Sequence, residues 1–166
     1  MDAFVVAICW VAAVIDWRTR EIPDTLWIVI VIAAPLRWWL IDSTFLGPMM
    51  LGGGGALVLG LLIATVGKTA PTAVVDDVDR FGDVDRFGDV DRFGGGDVKL
   101  FAALGAWFGI VAVIPLALWI AIAGLPLALI AAARGQSDFA YAPAIAAGCS
   151  VHAVMPNLLA TIAGWN

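Results

Sequence analysis

The chain has 166 residues, of which 62% are hydrophobic, 9 are basic and 14 are acidic. Its mean hydropathy of +0.97 is far too high for a soluble domain and indicates a helical membrane protein. The 2 cysteines lie inside apolar runs, which excludes a disulfide scaffold and a zinc ribbon, and a net charge of -5 without a basic face excludes a nucleic-acid binder.

Uncharged runs along the chain predict the membrane helices. A helix rises 1.5 Å per residue and the hydrocarbon core is roughly 30 Å thick, so a span needs about 20 residues. The run Leu100–Ala133 is too long for one span, so we expect a break near Gly109 to Pro115. The sequence therefore predicts an all-α polytopic membrane protein with about six transmembrane helices. They cover about residues 2–18, 25–41, 45–66, 97–112, 114–133 and 140–163.

Basic residues are divided unequally between the two sides of this arrangement. One side carries Arg37, and the other carries Arg18, Arg20, Lys68, Arg80, Arg86, Arg92, Lys99 and Arg134. Because cytoplasmic loops retain Lys and Arg, both termini are predicted to lie outside the cell membrane. Residues 1–166 would then form a single membrane-embedded domain with one longer cytoplasmic loop at about residues 67–96.

That loop contains a tandem repeat of Asp-Val-Asp-Arg-Phe-Gly, which occurs in three copies between Asp77 and Gly94. Repeated acids and glycines are compatible with calcium binding, but the nonapeptide pattern of calcium-binding solenoids is absent. The composition favours a solvated, flexible segment. A calcium site is the alternative.

Two acids lie at the edges of predicted helices. The uncharged stretch Ala3–Ile15 is too short to span, so the first helix must continue through Asp16. Asp97 follows three glycines and opens the fourth helix at the same predicted depth. Two converging carboxylates cannot both ionise cheaply and share a proton, which is the arrangement of an aspartyl protease. Alternatively, Asp16 ends a helix and Asp97 is an acid favoured by a helix N-terminus.

Three blocks of sequence carry a family resemblance. Asp16–Asp24 places Pro23 seven residues after an aspartate and an acid directly after that proline. Gly94–Trp107 begins with Gly-Gly-Gly-Asp and continues with Val-Lys-Leu, and Phe139–Gly148 opens the last predicted helix. These segments resemble the first catalytic block, the GxGD motif and the final helix start of the prepilin and preflagellin peptidase family.

The resemblance implies an integral-membrane aspartic endopeptidase of the compact archaeal or tight-adherence type. Such an enzyme removes the basic leader of type IV pilin-like or archaellin precursors at the cytoplasmic face. Asp16 and Asp97 match the catalytic aspartates of the family. The positions that match its supporting motif residues are Pro23, Gly94, Gly96 and Lys99. The implied partners are the precursor and the lipid bilayer, and neither a metal nor another cofactor is implied.

In such a reaction one aspartate acts as general base on water and the other donates a proton to the scissile carbonyl oxygen. The sequence leaves open which residue takes which role, because the pair titrates as a unit. Two other functions remain open: a small proton- or cation-coupled transporter or channel, and an inactive pilin-assembly scaffold. Both acids lie at one edge and no inverted repeat is visible, which speaks against transport.

The remaining notable residues receive structural interpretations. His152, inside the last predicted helix, is expected to make an interhelical hydrogen bond rather than bind a metal. Gly52–Gly55 predicts a close-packing helix face rather than a phosphate loop. Asp24 is predicted to cap the second helix, and Asp42 is a candidate partner for Arg37.

Overall fold

The computed structural model describes residues 1–41, 46–69, 95–134 and 140–155. Its helices are α1 (Asp2–Thr19), α2 (Asp24–Ile41), α3 (Leu46–Thr69), α4 (Gly95–Phe108), α5 (Ile110–Ala133) and α6 (Ala142–Val154). These residues contain no strand, so the prediction of an all-helical chain with six helices is confirmed. The repeat, Gly94, Asp42 and the end of the predicted last helix lie outside the described residues.

The break in the long apolar run falls at Gly109, at the start of the predicted interval. Gly109 has a φ of 86°, which side-chain-bearing residues rarely adopt, so α4 ends at Phe108 and α5 begins directly afterwards. A Cβ at Gly109 would also lie 2.9 Å from the Trp38 ring. Pro115, the other predicted breakpoint, lies inside α5. Its missing N–H removes one hydrogen bond, whereas the backbone of Gly109 leaves the helical region altogether.

The helix α4 is the centre of the bundle, and nearly all its residues from Asp97 to Trp107 are buried. It packs most extensively against α3, where the backbones of Gly52 and Gly105 touch. A Cβ at either glycine would overlap the carbonyl group of the other helix. The predicted close-packing glycine face is therefore confirmed at Gly52, since small residues let helix backbones approach in this way.

The first and last helices pack against each other in antiparallel orientation. The backbone N–H of Ala142 donates a 3.0 Å hydrogen bond to Asp16 Oδ2, and Trp10 Nε1 donates a 3.1 Å bond to Ser150 Oγ. As the residue number falls along α1, the number of its partner on α6 rises, which is the register of two antiparallel helices. Between them the buried thiols of Cys9 and Cys149 lie close to each other.

Consecutive helices alternate in direction, so the bundle has two distinct ends. We call the end with Asp16 and Asp97 the acid end, and the end with Asp2, Arg37 and Trp107 the arginine end. The acid end gathers the C-terminal ends of α1, α3 and α5 and the N-terminal ends of α2, α4 and α6. Every chain segment that joins α1 to α2, α3 to α4 or α5 to α6 therefore starts and finishes there.

The outer surface of the bundle is rich in large apolar side chains, among them Ile32, Val111 and Ile114. By length and composition, two helices of the described part are able to cross a membrane, Leu46–Thr65 within α3 and Ile110–Ala133. Extended apolar patches on an outer surface mark contact with lipid or with another protein.

Candidate active site

Asp16 lies near the end of α1 and is 7% exposed. The helix ends at Thr19, and Arg20 adopts a left-handed conformation (φ 59°) while its N–H donates to the Asp16 carbonyl at 2.9 Å. This cap turns the chain away one turn after Asp16. The carboxyl group therefore faces α6, where Ala142 donates to its Oδ2.

Asp97 is the third residue of α4 and is 8% exposed. The preceding Gly96 packs on the segment between α1 and α2, because a Cβ there would lie 3.1 Å from Ile22 Cβ. That distance is tighter than ordinary van der Waals contact. Because Gly96 has no side chain, the first turn of α4 packs closely against the chain at the end of α1. Asp97 therefore lies beside the same cavity as Asp16.

The two acids line one cavity of about 360 Å³ at the acid end. Its lining consists of Asp16, Arg20, Glu21, Ile22, Asp24, Gly95, Gly96, Asp97 and Lys99. Three separate elements of the chain contribute to it: the end of α1 with its following segment, the start of α2 and the start of α4. This volume lies within the range of ligand-binding pockets in proteins.

At the rim of the cavity, Lys99 Nζ lies 2.8 Å from Asp24 Oδ1, and Trp27 Nε1 donates to the same oxygen at 2.8 Å. The Lys99 ammonium and the Trp27 indole hold the pKa of Asp24 below its usual value. The prediction that the Asp24 side chain caps α2 is therefore wrong, although the helix does begin at this residue. Asp24 begins α2, but its carboxylate is directed to a lysine of another helix, because a cation is a stronger partner than a backbone N–H.

The structure brings together four of the six residues that match the catalytic and supporting positions of the family resemblance. Asp16, Asp97, Gly96 and Lys99 all line the cavity. Pro23 lies in the segment before α2, where its carbonyl accepts the Leu26 N–H at 3.1 Å, and it is absent from the cavity lining. Gly94 lies outside the described residues.

A second polar cluster forms the arginine end. Asp2 Oδ1 accepts hydrogen bonds from Arg37 Nε at 3.3 Å and from Trp107 Nε1 at 3.1 Å. Arg37 Nη1 donates to the Trp107 carbonyl at 2.7 Å, and its guanidinium lies 5.3 to 5.8 Å from the ring centroids of Trp38, Trp107 and Phe108. Among the described residues Arg37 pairs with Asp2, and Asp42, the candidate partner that the sequence offered, lies outside them.

His152 is buried in α6 towards the arginine end. Its ring meets the Phe108 ring edge-on at 4.9 Å between centroids. Within the described part of the chain its Nδ1 atom has no hydrogen-bond partner. The expected interhelical hydrogen bond is thus not made at this atom, because the ring is oriented by packing against an aromatic neighbour.

One contribution to the site was missed in the sequence, namely the backbone N–H of Ala142 on Asp16. The segment Phe139–Gly148 signalled the start of a helix with a family-like motif, but a main-chain donor leaves no mark in residue types. Its partner can be found only once α1 and α6 are placed side by side.

A family model described as the type IV leader peptidase family matches residues 3–130. The matched range begins in α1, includes Asp16, Asp97 and all of α4, and ends within α5. No curated protein and no solved structure matches the chain. The helix α6, which supplies the hydrogen bond to Asp16, lies beyond the matched range.

Proposed function

The chain belongs to the type IV leader peptidase family, and we propose that it is an integral-membrane aspartic endopeptidase with Asp16 and Asp97 as its catalytic pair. Membership implies a peptidase that acts on pilin-type precursors in general. The finer proposal is cleavage of the leader of a type IV pilin-like or archaellin precursor at the cytoplasmic membrane face. The observation that carries it is the convergence of two buried aspartates on one cavity.

The chemistry follows from the pair. One carboxylate removes a proton from a water molecule, and the resulting hydroxide attacks the scissile carbonyl carbon. The other carboxyl group donates its proton to the carbonyl oxygen, which gives a neutral tetrahedral intermediate. The first carboxyl group then passes its proton to the amide nitrogen as the C–N bond breaks, and the second, now a carboxylate, takes back a proton from one hydroxyl group, which leaves an amine and a carboxylic acid as products. Both acids must therefore reach the same peptide bond, and a shared cavity meets that requirement.

The charges around the cavity are compatible with a basic leader. Its lining contains four acidic side chains, Asp16, Glu21, Asp24 and Asp97, and two basic ones, Arg20 and Lys99. Lys99 is already paired with Asp24. A lining with more acids than cations attracts a positively charged segment and repels a negatively charged one.

A six-span arrangement fits the proposed membrane location. The six helices alternate in direction, and their outer faces carry large apolar side chains. Even the 18-residue helices α1 and α2 are each about 27 Å long, close to the thickness of the hydrocarbon core. Arg18, Arg20, Lys99 and Arg134 belong to the acid end and Arg37 to the opposite end, which favours a cytoplasmic acid end.

Cleavage of a precursor is the direct test. The purified protein in detergent is incubated with a precursor that bears a Lys/Arg-rich leader ending in Gly, and the products are weighed by mass spectrometry. We expect a shortened precursor with the parent protein and an uncut one with Asp16→Asn or Asp97→Asn. Asp2→Asn is the matched control because Asp2 lies on the same helix at the opposite end. A folded parent protein that leaves every such precursor intact would favour the scaffold alternative.

A further inference from the structure

The segment between α1 and α2 contains an acid whose main chain is fixed from both sides. Glu21 follows Arg20, the left-handed residue at the end of α1. The Thr19 hydroxyl oxygen lies 3.4 Å from the Glu21 nitrogen and 3.2 Å from the Glu21 carbonyl oxygen. The next residue, Ile22, packs on Gly96 at the start of α4. The Glu21 backbone therefore has a defined place at the acid end, where Glu21 lines the cavity of the two buried aspartates.

The four acids of the cavity lining differ in what they already bind. Asp24 is paired with the Lys99 ammonium at 2.8 Å. Asp16 and Asp97 are buried, and the proposed reaction uses both of them. Glu21 is exposed, and within the described part of the chain its carboxylate has neither a hydrogen-bond donor nor a cation beside it. Glu21 thus brings an uncompensated negative charge to the lining.

A carboxylate in this position distinguishes side chains of a bound peptide by their charge. A Lys or Arg side chain in the cavity can form a charge-assisted hydrogen bond with Glu21, which becomes stronger as the peptide displaces water. A neutral side chain would remove water from the Glu21 carboxylate without replacing its hydrogen bonds, and an acidic one would be repelled. One contact therefore favours cationic side chains and disfavours the other two classes.

We propose that Glu21 is a specificity-determining residue that binds a Lys or Arg side chain of the precursor close to the scissile bond. This inference rests on the proposed function and names the residue that recognises the charge of the leader. Because Glu21 and the two catalytic acids line one cavity, the cation lies within a few residues of the bond that is cut. Glu21 takes no part in proton transfer, which is the role of Asp16 and Asp97.

The test compares three precursors that differ only in the leader, whose Lys and Arg residues are kept, changed to Gln or changed to Glu. We expect the parent protein to cleave the basic leader fastest. In Glu21→Gln the ratio of kcat/KM for the basic leader to kcat/KM for the neutral leader should fall about fivefold, the scale of one solvent-exposed ion pair. The loss should appear in KM for the basic leader, with kcat and the rate on the neutral leader close to those of the parent.

Two further variants and one control sharpen the result. Glu21→Asp keeps the charge and should retain part of the preference for the basic leader. Glu21→Lys should lower kcat/KM for the basic leader and raise it for the acidic one. Asp2→Asn is the matched control, because it removes one negative charge at the opposite end of the bundle and should leave the ratio between leaders unchanged.

The possible outcomes separate this inference from the proposed function. An unchanged ratio between leaders in an active Glu21→Gln protein overturns the inference. Equal losses on all three leaders overturn it as well, since a general defect in structure or chemistry does not depend on leader charge. The same change of ratio in Asp2→Asn also overturns it, because the preference would then follow the net charge of the protein. A folded parent protein that cleaves none of the precursors refutes the proposed function, on which the inference rests.

Discussion

The two ends of the bundle use the same residue type for opposite purposes. Asp2 and Asp16 lie on one helix, about 21 Å apart along its axis. Asp2 is bonded to the Arg37 guanidinium and to the Trp107 indole, whereas Asp16 faces a cavity that it shares with a second acid. An aspartate whose charge is balanced by a cation is structural. An aspartate beside another acid and an open cavity is available for chemistry.

The aspartates of the two ends also differ in burial, since Asp16 and Asp97 are buried and Asp2 is not. The Arg37 side chain is 12% exposed and that of Asp2 is 40% exposed, so solvent screens the carboxylate of this ion pair more than the guanidinium. The guanidinium also lies against three aromatic rings. The two ends therefore differ in partners as well as in burial, and the difference in partners can be tested by substitution.

The largest expected effect is on cleavage at the acid end. Asp16→Asn and Asp97→Asn each remove a member of the pair, and we expect kcat/KM to fall by roughly 10³-fold or more. Asp2→Asn should keep kcat/KM within a few-fold of the parent. The comparison breaks down if the Asp2 variant is as inactive as the other two while its melting temperature is normal.

The arginine end should respond in stability instead. Arg37→Met leaves the Asp2 carboxylate without its cation and the Trp107 carbonyl without the Arg37 donor, and we expect a loss of about 2 to 4 kcal/mol in the free energy of unfolding. The loss is measured by denaturant unfolding in detergent. In the double variant with Asp2→Asn the penalty should be smaller than the sum of the single ones, because the uncompensated charge is gone. Strict additivity would contradict a coupled pair.

Neighbouring glycines at the acid end offer a finer comparison. Gly96→Ala forces Ile22 to move, since its Cβ would lie 3.1 Å away, whereas a Cβ at Gly95 meets nothing within 4 Å. Because Ile22 and Gly96 both line the cavity, we expect Gly96→Ala to lower kcat/KM by about tenfold. Gly95→Ala should have little effect on cleavage. Equal activities of the two variants would mean that this contact does not position Asp97.

The smallest effect is expected for Asp24. Its pKa is lowered in the folded protein, so its contribution to stability is present above its unfolded pKa and is lost as the pH falls through the lower folded value. Asp24 is exposed and screened by solvent, so we expect Asp24→Asn to lower the melting temperature slightly at pH 7 and not at all at strongly acidic pH. Cleavage should remain substantial. A difference in melting temperature that grows as the pH falls would have the wrong sign.

The sequence was sufficient for features that depend on residue type and order. Apolar run lengths predict six helices, the interval from Gly109 to Pro115 predicts the break, and two edge acids predict a shared site. Features that depend on the relative placement of distant helices were missed or misassigned. Asp24 looks like a helix cap until α4 brings Lys99 to it, and Asp2 looks like a terminal residue until α2 and α4 supply its partners.

The hydrogen bond between Ala142 and Asp16 also has a consequence for assembly. It joins residues 126 positions apart, one on the first helix and one on the last. A chain made from its N-terminus exposes Asp16 and Asp97 long before α6 exists, and the contact forms only when the final helix docks. A molecule in which α6 has not docked therefore contains both acids without the hydrogen bond from Ala142 to Asp16. Docking of α6 and formation of the hydrogen bond to Asp16 are in this way a single event.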